Sequence, residues 1–195
     1  MQEITYRRLY YRDYPAFLEL RENVEKTLPT SEFLLPLAEE YFRFIRFGAF
    51  NCQGGLIGAV LLETCQYYMQ PHKEILTATD KKVCALSSMI VHPNYRSRGV
   101  ITSLNILALN TAQEYQFELA TCLVHPCNIL GLSAVQKLEF REVAEIMTNL
   151  EKPVKIFTKK LIENFDNKID IKTTTCYNFM YENSQNKSQP VQVIR

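Results

Sequence analysis

The sequence predicts a mixed domain of the α/β or α+β class, and three observations carry that prediction. Short apolar runs of strand character alternate with stretches whose apolar residues recur at helical spacing. The chain has 195 residues, 47% of them hydrophobic, with 22 Lys and Arg against 21 Asp and Glu. That length and apolar content suffice for one core and exclude a wholly disordered chain, and a net charge of +1 speaks against a general nucleic-acid binder. Glycine is scarce: there are six, where average usage gives roughly 14. Each glycine at a turn is therefore informative.

The elements follow in order. Ile4–Leu9 reads as a short strand. Asp13 before Pro15 marks a helix start, with Phe17, Leu20 and Val24 at helical spacing behind it. A second helix is expected over Ser31–Phe44, its beginning blurred by Pro36. Phe47–Asn51 and Leu56–Tyr67 form a hairpin turning at Gln53, Gly54 and Gly55. His72–Lys82 is polar and loop-like, and Val83–Val91 is a strand closed by His92-Pro93-Asn94. Val100, Leu104, Leu107, Ala108, Thr111, Ala112 and Tyr115 lie on one helix face. Phe117–Val124 is a strand, Ile129–Leu138 a short helix and Glu142–Leu150 a further strand. Val154–Phe165 reads as helical, Ile169–Tyr181 holds a last strand, and residues 183–195 form a polar, frayed tail.

The N-terminal MQEITYRRLYYRDY has arginines but no apolar stretch behind them, so no signal peptide is expected. The longest clean apolar run, Leu56–Leu62, falls far short of the ~20 residues that cross a bilayer. A cytoplasmic chain without a membrane partner is the expectation. Six cysteines without a C-x-x-C pair, most in apolar runs, read as reduced buried thiols. Cys122, His125 and Cys127 match no common zinc spacing, so no metal is expected.

One segment carries chemistry. A buried strand and a short polar turn lead into Arg96-Ser97-Arg98-Gly99-Val100-Ile101, which opens a helix. A helix N-terminus offers amides without intrahelical partners and about half a unit of positive charge. Two arginines add cations, and Gly99 lets backbone approach a ligand. This is the design of a phosphate or pyrophosphate cradle, with a solvated basic loop as the competing reading. The spacing is neither a Walker loop nor a Rossmann fingerprint.

The stretch MIVHPNYRSRGVITSL, Met89–Leu104, resembles the acyl-CoA-binding segment of the GNAT superfamily of N-acetyltransferases, carried by Val91, Pro93, Tyr95, Arg96, Gly99 and Leu104. HPCNILGLSAVQKLEFREV, His125–Val143, is similar to the family's second cofactor segment through Asn128, Gly131, Leu138 and Phe140. The resemblance covers most of the chain and implies one domain over residues 1–182. It implies an acyl-CoA N-acyltransferase fold: α+β in three layers, with a mixed, mostly antiparallel sheet and helices on both faces.

It also implies roles. Backbone groups of Met89, Ile90 and Val91 would pair with the pantetheine arm of acetyl-CoA as an added strand. Amides of Arg96, Ser97, Arg98, Gly99, Val100, Ile101 and Thr102 would hold the pyrophosphate, and Asn128 would reach the pantetheine. The sequence departs from the family at three places. Ile101 replaces a second small residue, Val135 falls where a general-acid tyrosine is frequent, and Glu139 replaces the glycine before Phe140. Ser133 or Cys127 is the candidate to replace that acid.

The implied reaction is attack of an amine on the acyl thioester. An alkyl amine of pKa ~10.4 is neutral in about one molecule per thousand near pH 7.4, a deficit of ~4 kcal/mol that calls for a base. Some relatives carry a glutamate where this chain has Ala85. Glu63, on the neighbouring strand, is the nearest carboxylate, with a solvated surface residue as its bland alternative. Ser87 and Ser88 lie on the cofactor strand, and either would anchor a water. The expected acceptor is a small-molecule or protein amine, and a homodimer is compatible with the sequence. Two alternatives remain: an enzyme taking a longer acyl group from CoA or acyl carrier protein, and a non-catalytic CoA-binding module.

Overall fold

The computed structural model describes residues 3–27, 44–65, 73, 75, 76, 78, 81–147 and 153–162. Their elements are β1 (Thr5–Arg8), α1 (Tyr14–Glu25), β2 (Ile45–Phe50), β3 (Leu56–Glu63), β4 (Val83–Val91), α2 (Val100–Glu114), β5 (Leu119–Val124), α3 (Ile129–Lys137), β6 (Arg141–Met147) and β7 (Pro153–Lys160). Short 3-10 turns, Tyr11–Asp13 and Pro93–Tyr95, precede α1 and follow β4. The strands form one sheet in the order β1-β2-β3-β4-β5-β7-β6. The β4/β5 pair is parallel, and β1/β2, β2/β3, β5/β7 and β6/β7 are antiparallel. The sheet is thus mixed and mostly antiparallel, as expected.

Backbone contacts group the chain into two units, Met1–Glu63 with Leu86–Thr111, and Thr64–Ala85 with Ala112–Arg195. In the first, Phe17, Leu20 and Val24 of α1 bury one stripe against Leu9, Phe44, Phe50, Ala59, Leu61 and Ile90. The other face of β3 meets α2. A Cβ added at Gly58 would lie 2.9 Å from Val100 Cγ1 and 3.2 Å from Leu104 Cδ1. Gly58 is therefore small because the first turns of α2 press on it, and helices cover both faces of β3.

The entry to α1 is set by one carboxylate. Asp13 accepts from both guanidinium nitrogens of Arg7 at 2.7 and 2.8 Å and from the Tyr10 amide at 2.8 Å. The Arg7 hydrogen bonds outweigh burial and hold the carboxyl down to about 2. A depressed pKa stabilises the fold above the unfolded value near 4, and that contribution is lost as pH falls towards 2. Asp13→Asn should cost about 2 kcal/mol at neutral pH. Urea unfolding at a series of pH values should show that gap closing towards pH 2.

In the second unit, β5 is buried through Leu119, Ala120, Thr121, Cys122 and Val124, and lies between β4 and β7. Burial pushes the Cys84 thiol up to about 12 and the Cys122 thiol higher still, so neither is a nucleophile at neutral pH. The expected burial does not extend to Cys52 and Cys127, which are exposed in turns.

The helix expected over Val154–Phe165 is instead β7. Val154, Ile156 and Thr158 are β-branched and alternate with Lys155 and the adjacent Phe157, and pairing with β5 on one side and β6 on the other decides the conformation. The helix face expected to run to Tyr115 ends at Glu114, leaving that tyrosine exposed. The helix expected at Ser31–Phe44, apart from Phe44, lies outside the described residues. So do Cys176, the strand within Ile169–Tyr181 and the tail at 183–195.

Candidate active site

Within the first unit, Leu86–Val91 of β4 is the edge of the strands β1-β2-β3-β4. The register of β4 against β5 covers Val83–Ala85 and ends there. Ser88 sits just beyond with φ 52°, a left-handed residue inside a strand. Such a residue breaks the pleat and turns backbone groups away from regular pairing. Ser87, Ser88, Met89 and Val91 are half-buried while Ile90 faces the α1 core. The Ser87 Oγ is buried with no hydrogen-bond partner. The expectation that either serine anchors a water thus divides: Ser88 shapes the strand, and Ser87 holds the hydroxyl that needs a partner.

The turn after β4 is pinned at several points. The His92 amide donates to Ile57 O at 2.8 Å, and His92 Nδ1 accepts from the Asn94 amide at 3.3 Å. Asn51 Nδ2 donates to the Tyr95 hydroxyl at 3.2 Å, tying the turn to the β2–β3 hairpin. The Arg96 guanidinium donates to Val91 O at 3.3 Å and to Thr27 Oγ1 at 2.8 Å. Arg98 lies 5.2 Å from the Tyr95 ring centre and is exposed. The edge-on contact of His92 with Tyr95 adds to this support.

Two left-handed residues flank Arg98: Ser97 at φ 61° and Gly99 at φ 76°. Alternation of hand turns successive amides to one side, the geometry of an anion-binding nest. The Ser103 amide donates to Gly99 O at 3.0 Å and begins the helical ladder. The amides of Gly99, Val100, Ile101 and Thr102 precede that ladder, so helix geometry leaves them for a ligand. A Cβ added at Gly99 meets no protein atom within 4 Å. The glycine is thus favoured by its φ, not by crowding from the protein. The residues fit the diphosphate of an acyl-CoA: amides aimed outward, a positive helix end and an exposed arginine.

Asn105, wholly buried on α2, donates from Nδ2 to Met89 Sδ at 3.2 Å, while its Oδ1 has no partner. Spacing alone does not reveal this residue, because an asparagine between Leu104 and Leu107 reads as part of a polar face. Glu63 ends β3, on the strand next to β4, and is 5% exposed. Its bland alternative as a solvated surface residue is therefore excluded.

In the second unit, Asn128 is the N-cap of α3, and its Oδ1 accepts from the Gly131 amide at 2.9 Å. A Cβ at Gly131 would lie 2.7 Å from Asn128 Nδ2, so Gly131 makes room for the cap. The Asn128 side chain is exposed. Val135 is fully buried and donates no proton. Glu139 has φ 61°, which explains the family's glycine there as the left-handed residue that ends the helix. Lys159 Nζ covers that end by donating to Leu138 O at 2.7 Å. Among the described residues no group of three His, Cys, Asp or Glu is placed to hold a metal, and no helix is long and apolar enough to cross a membrane.

No curated protein matches the sequence. Solved structures match the fold. The ribosomal-protein-S18-alanine N-acetyltransferase from Escherichia coli aligns at TM-score 0.62 and 15% identity, over 85% of this chain and 98% of its own. A chain from the NatC complex bound to Gag peptide and CoA aligns at TM-score 0.65 and 15% identity, over 82% and 99%. A point mutant of the spermidine N-acetyltransferase SpeG from Vibrio cholerae aligns at TM-score 0.60 and 15% identity, over 81% and 94%. At these identities the likeness is one of fold. The sequence model of the acetyltransferase (GNAT) family matches residues 7–140, from β1 to just past α3. The chain belongs to the acetyltransferase (GNAT) family.

Proposed function

We propose that this chain is an acyl-CoA-dependent N-acyltransferase, with acetyl-CoA as donor and a small-molecule or protein amine as acceptor. The observation that carries this reading is the nest at Ser97–Gly99, which opens α2 directly after the edge strand β4. The Arg96 amide, expected among the diphosphate's donors, already donates to Pro93 O at 3.3 Å, so the diphosphate would take the amides of Ser97, Arg98, Gly99, Val100, Ile101 and Thr102. The pantetheine would lie along Met89, Ile90 and Val91 as an added strand. The free thiols of the described cysteines accord with a cytoplasmic setting.

Glu63 is the residue proposed as general base. The acceptor nitrogen bonds to the acyl carbon as the C–S bond breaks. One ammonium proton goes to Glu63, directly or through a water on Ser87 or Ser88, and the second passes from the product nitrogen to solvent. The CoA thiolate takes up a proton from solvent, because Val135 supplies none. The solved proteins of like fold are named for a ribosomal-protein alanine, a complex with Gag peptide, and spermidine. Acceptors that diverse on one fold leave the acceptor of this chain to experiment.

The buried Val135 favours one competing reading, a CoA-binding module without turnover. Thiol release from acyl-CoAs of about two to sixteen carbons, measured against a panel of amines, separates the readings. Acetyl-CoA should be consumed with an amine. Release from long donors alone would mark a longer-chain enzyme, and binding without release would mark the module.

A further inference from the structure

The two arginines of the turn lie two residues apart, yet their side chains do different things. Arg98 is exposed and touches the Tyr95 ring. Arg96 is half-buried, and its guanidinium is engaged within the protein. Its Nη2 donates to Thr27 Oγ1 at 2.8 Å, and that hydroxyl in turn donates to Val24 O at 2.8 Å. Its Nε donates to Val91 O at 3.3 Å, at the end of β4. Val24 lies in the last turn of α1 and Thr27 just past it, where the helix dipole favours a cation.

We propose that Arg96 is a positioning residue, which clasps the turn to the end of α1 and presents the nest, while Arg98 is the cation that meets the ligand. A guanidinium serves this role because its fork reaches a carbonyl and a hydroxyl at once, where a lysine ammonium would act as a point charge. The clasp couples a residue 69 positions away in sequence to the amides of the turn. What Arg98 does rests on the acyl-CoA reading; the clasp itself does not.

Two measurements test the proposal. In urea unfolding without ligand, Arg96→Ala, Thr27→Val and the double variant form a cycle, and their effects should be non-additive by about fivefold in the unfolding constant. Calorimetric titration with CoA over a range of salt concentrations follows. Thr27→Val, although off the turn, should weaken CoA binding about three- to tenfold, and Arg96→Ala should do so by a similar factor. Neither should change the salt dependence of the Kd, Arg96→Lys should not restore affinity, and Arg98→Ala should flatten the salt dependence.

An additive cycle would overturn the clasp. Equal flattening by Arg96→Ala and Arg98→Ala would overturn the division of roles. Absence of CoA binding in the wild-type chain would overturn the acyl-CoA reading and Arg98's part, while the ligand-free cycle would still decide Arg96's.

Discussion

Gly99→Val should abolish the thermal stabilisation that CoA gives the wild-type chain. Gly99 holds φ at 76°, a conformation that costs a β-branched residue about 1–2 kcal/mol unless the backbone moves. A Cβ at this position meets no protein atom within 4 Å beyond its chain neighbours, so the backbone conformation is the main obstacle. Its effect without ligand should be a fall in Tm of a few degrees, from about 2–4 °C per kcal/mol in a chain of this size. With ligand the effect is larger. A relaxed φ re-aims the amides of Gly99 and Val100, and the new side chain projects into the open space before the nest. The Kd for CoA should rise by at least about a hundredfold, which corresponds to losing two or more charge-assisted hydrogen bonds. Gly99→Ala should fall between the two. A Gly99→Val variant that keeps the CoA shift would remove the turn as the diphosphate site.

Glu63→Gln should lower turnover by about 10²–10³-fold at pH 7.4 and leave CoA affinity unchanged, as loss of a general base does. The glutamine keeps the shape of a side chain that is 5% exposed, so the fold should survive. The sign of the pH dependence distinguishes this role. Without its base, the enzyme depends on acceptor that is already neutral, so the variant's rate should rise about tenfold per pH unit towards the amine pKa near 10.4. The wild-type rate should level off earlier. An unchanged turnover number would move the base elsewhere, and a raised Kd for CoA would make Glu63 a structural residue.

The strands that carry the cradle were legible because their apolar runs are bounded by turn residues, and β4 closes at His92-Pro93. Gly99 was legible because few residues accept its φ. Ser88 and Ser97 were not. Serine has no left-handed preference, so nothing in the residue type marks the φ of 52° inside β4 or of 61° ahead of α2. β7 was misread because Ile156 and Phe157 are adjacent and fit either period, and only pairing with β5 and β6 resolves it. The burial of Glu63 and of Asn105 depends on what packs over them, which spacing does not encode. The Arg96–Thr27 contact joins distant segments, and an Arg-x-Arg pair alone cannot reveal which arginine is held.

The turn between β4 and α2 is the element on which the acyl-CoA reading depends. Differential scanning calorimetry with CoA and acetyl-CoA, raised to about 100 times the Kd, tests it most directly. A ligand at that excess stabilises the fold by ~2.7 kcal/mol, which at ~2–4 °C per kcal/mol is about 5–10 °C in Tm. Both compounds should give that rise in the wild-type chain, and neither should give it in Gly99→Val. No rise with CoA, acetyl-CoA or longer acyl-CoAs would contradict the assignment.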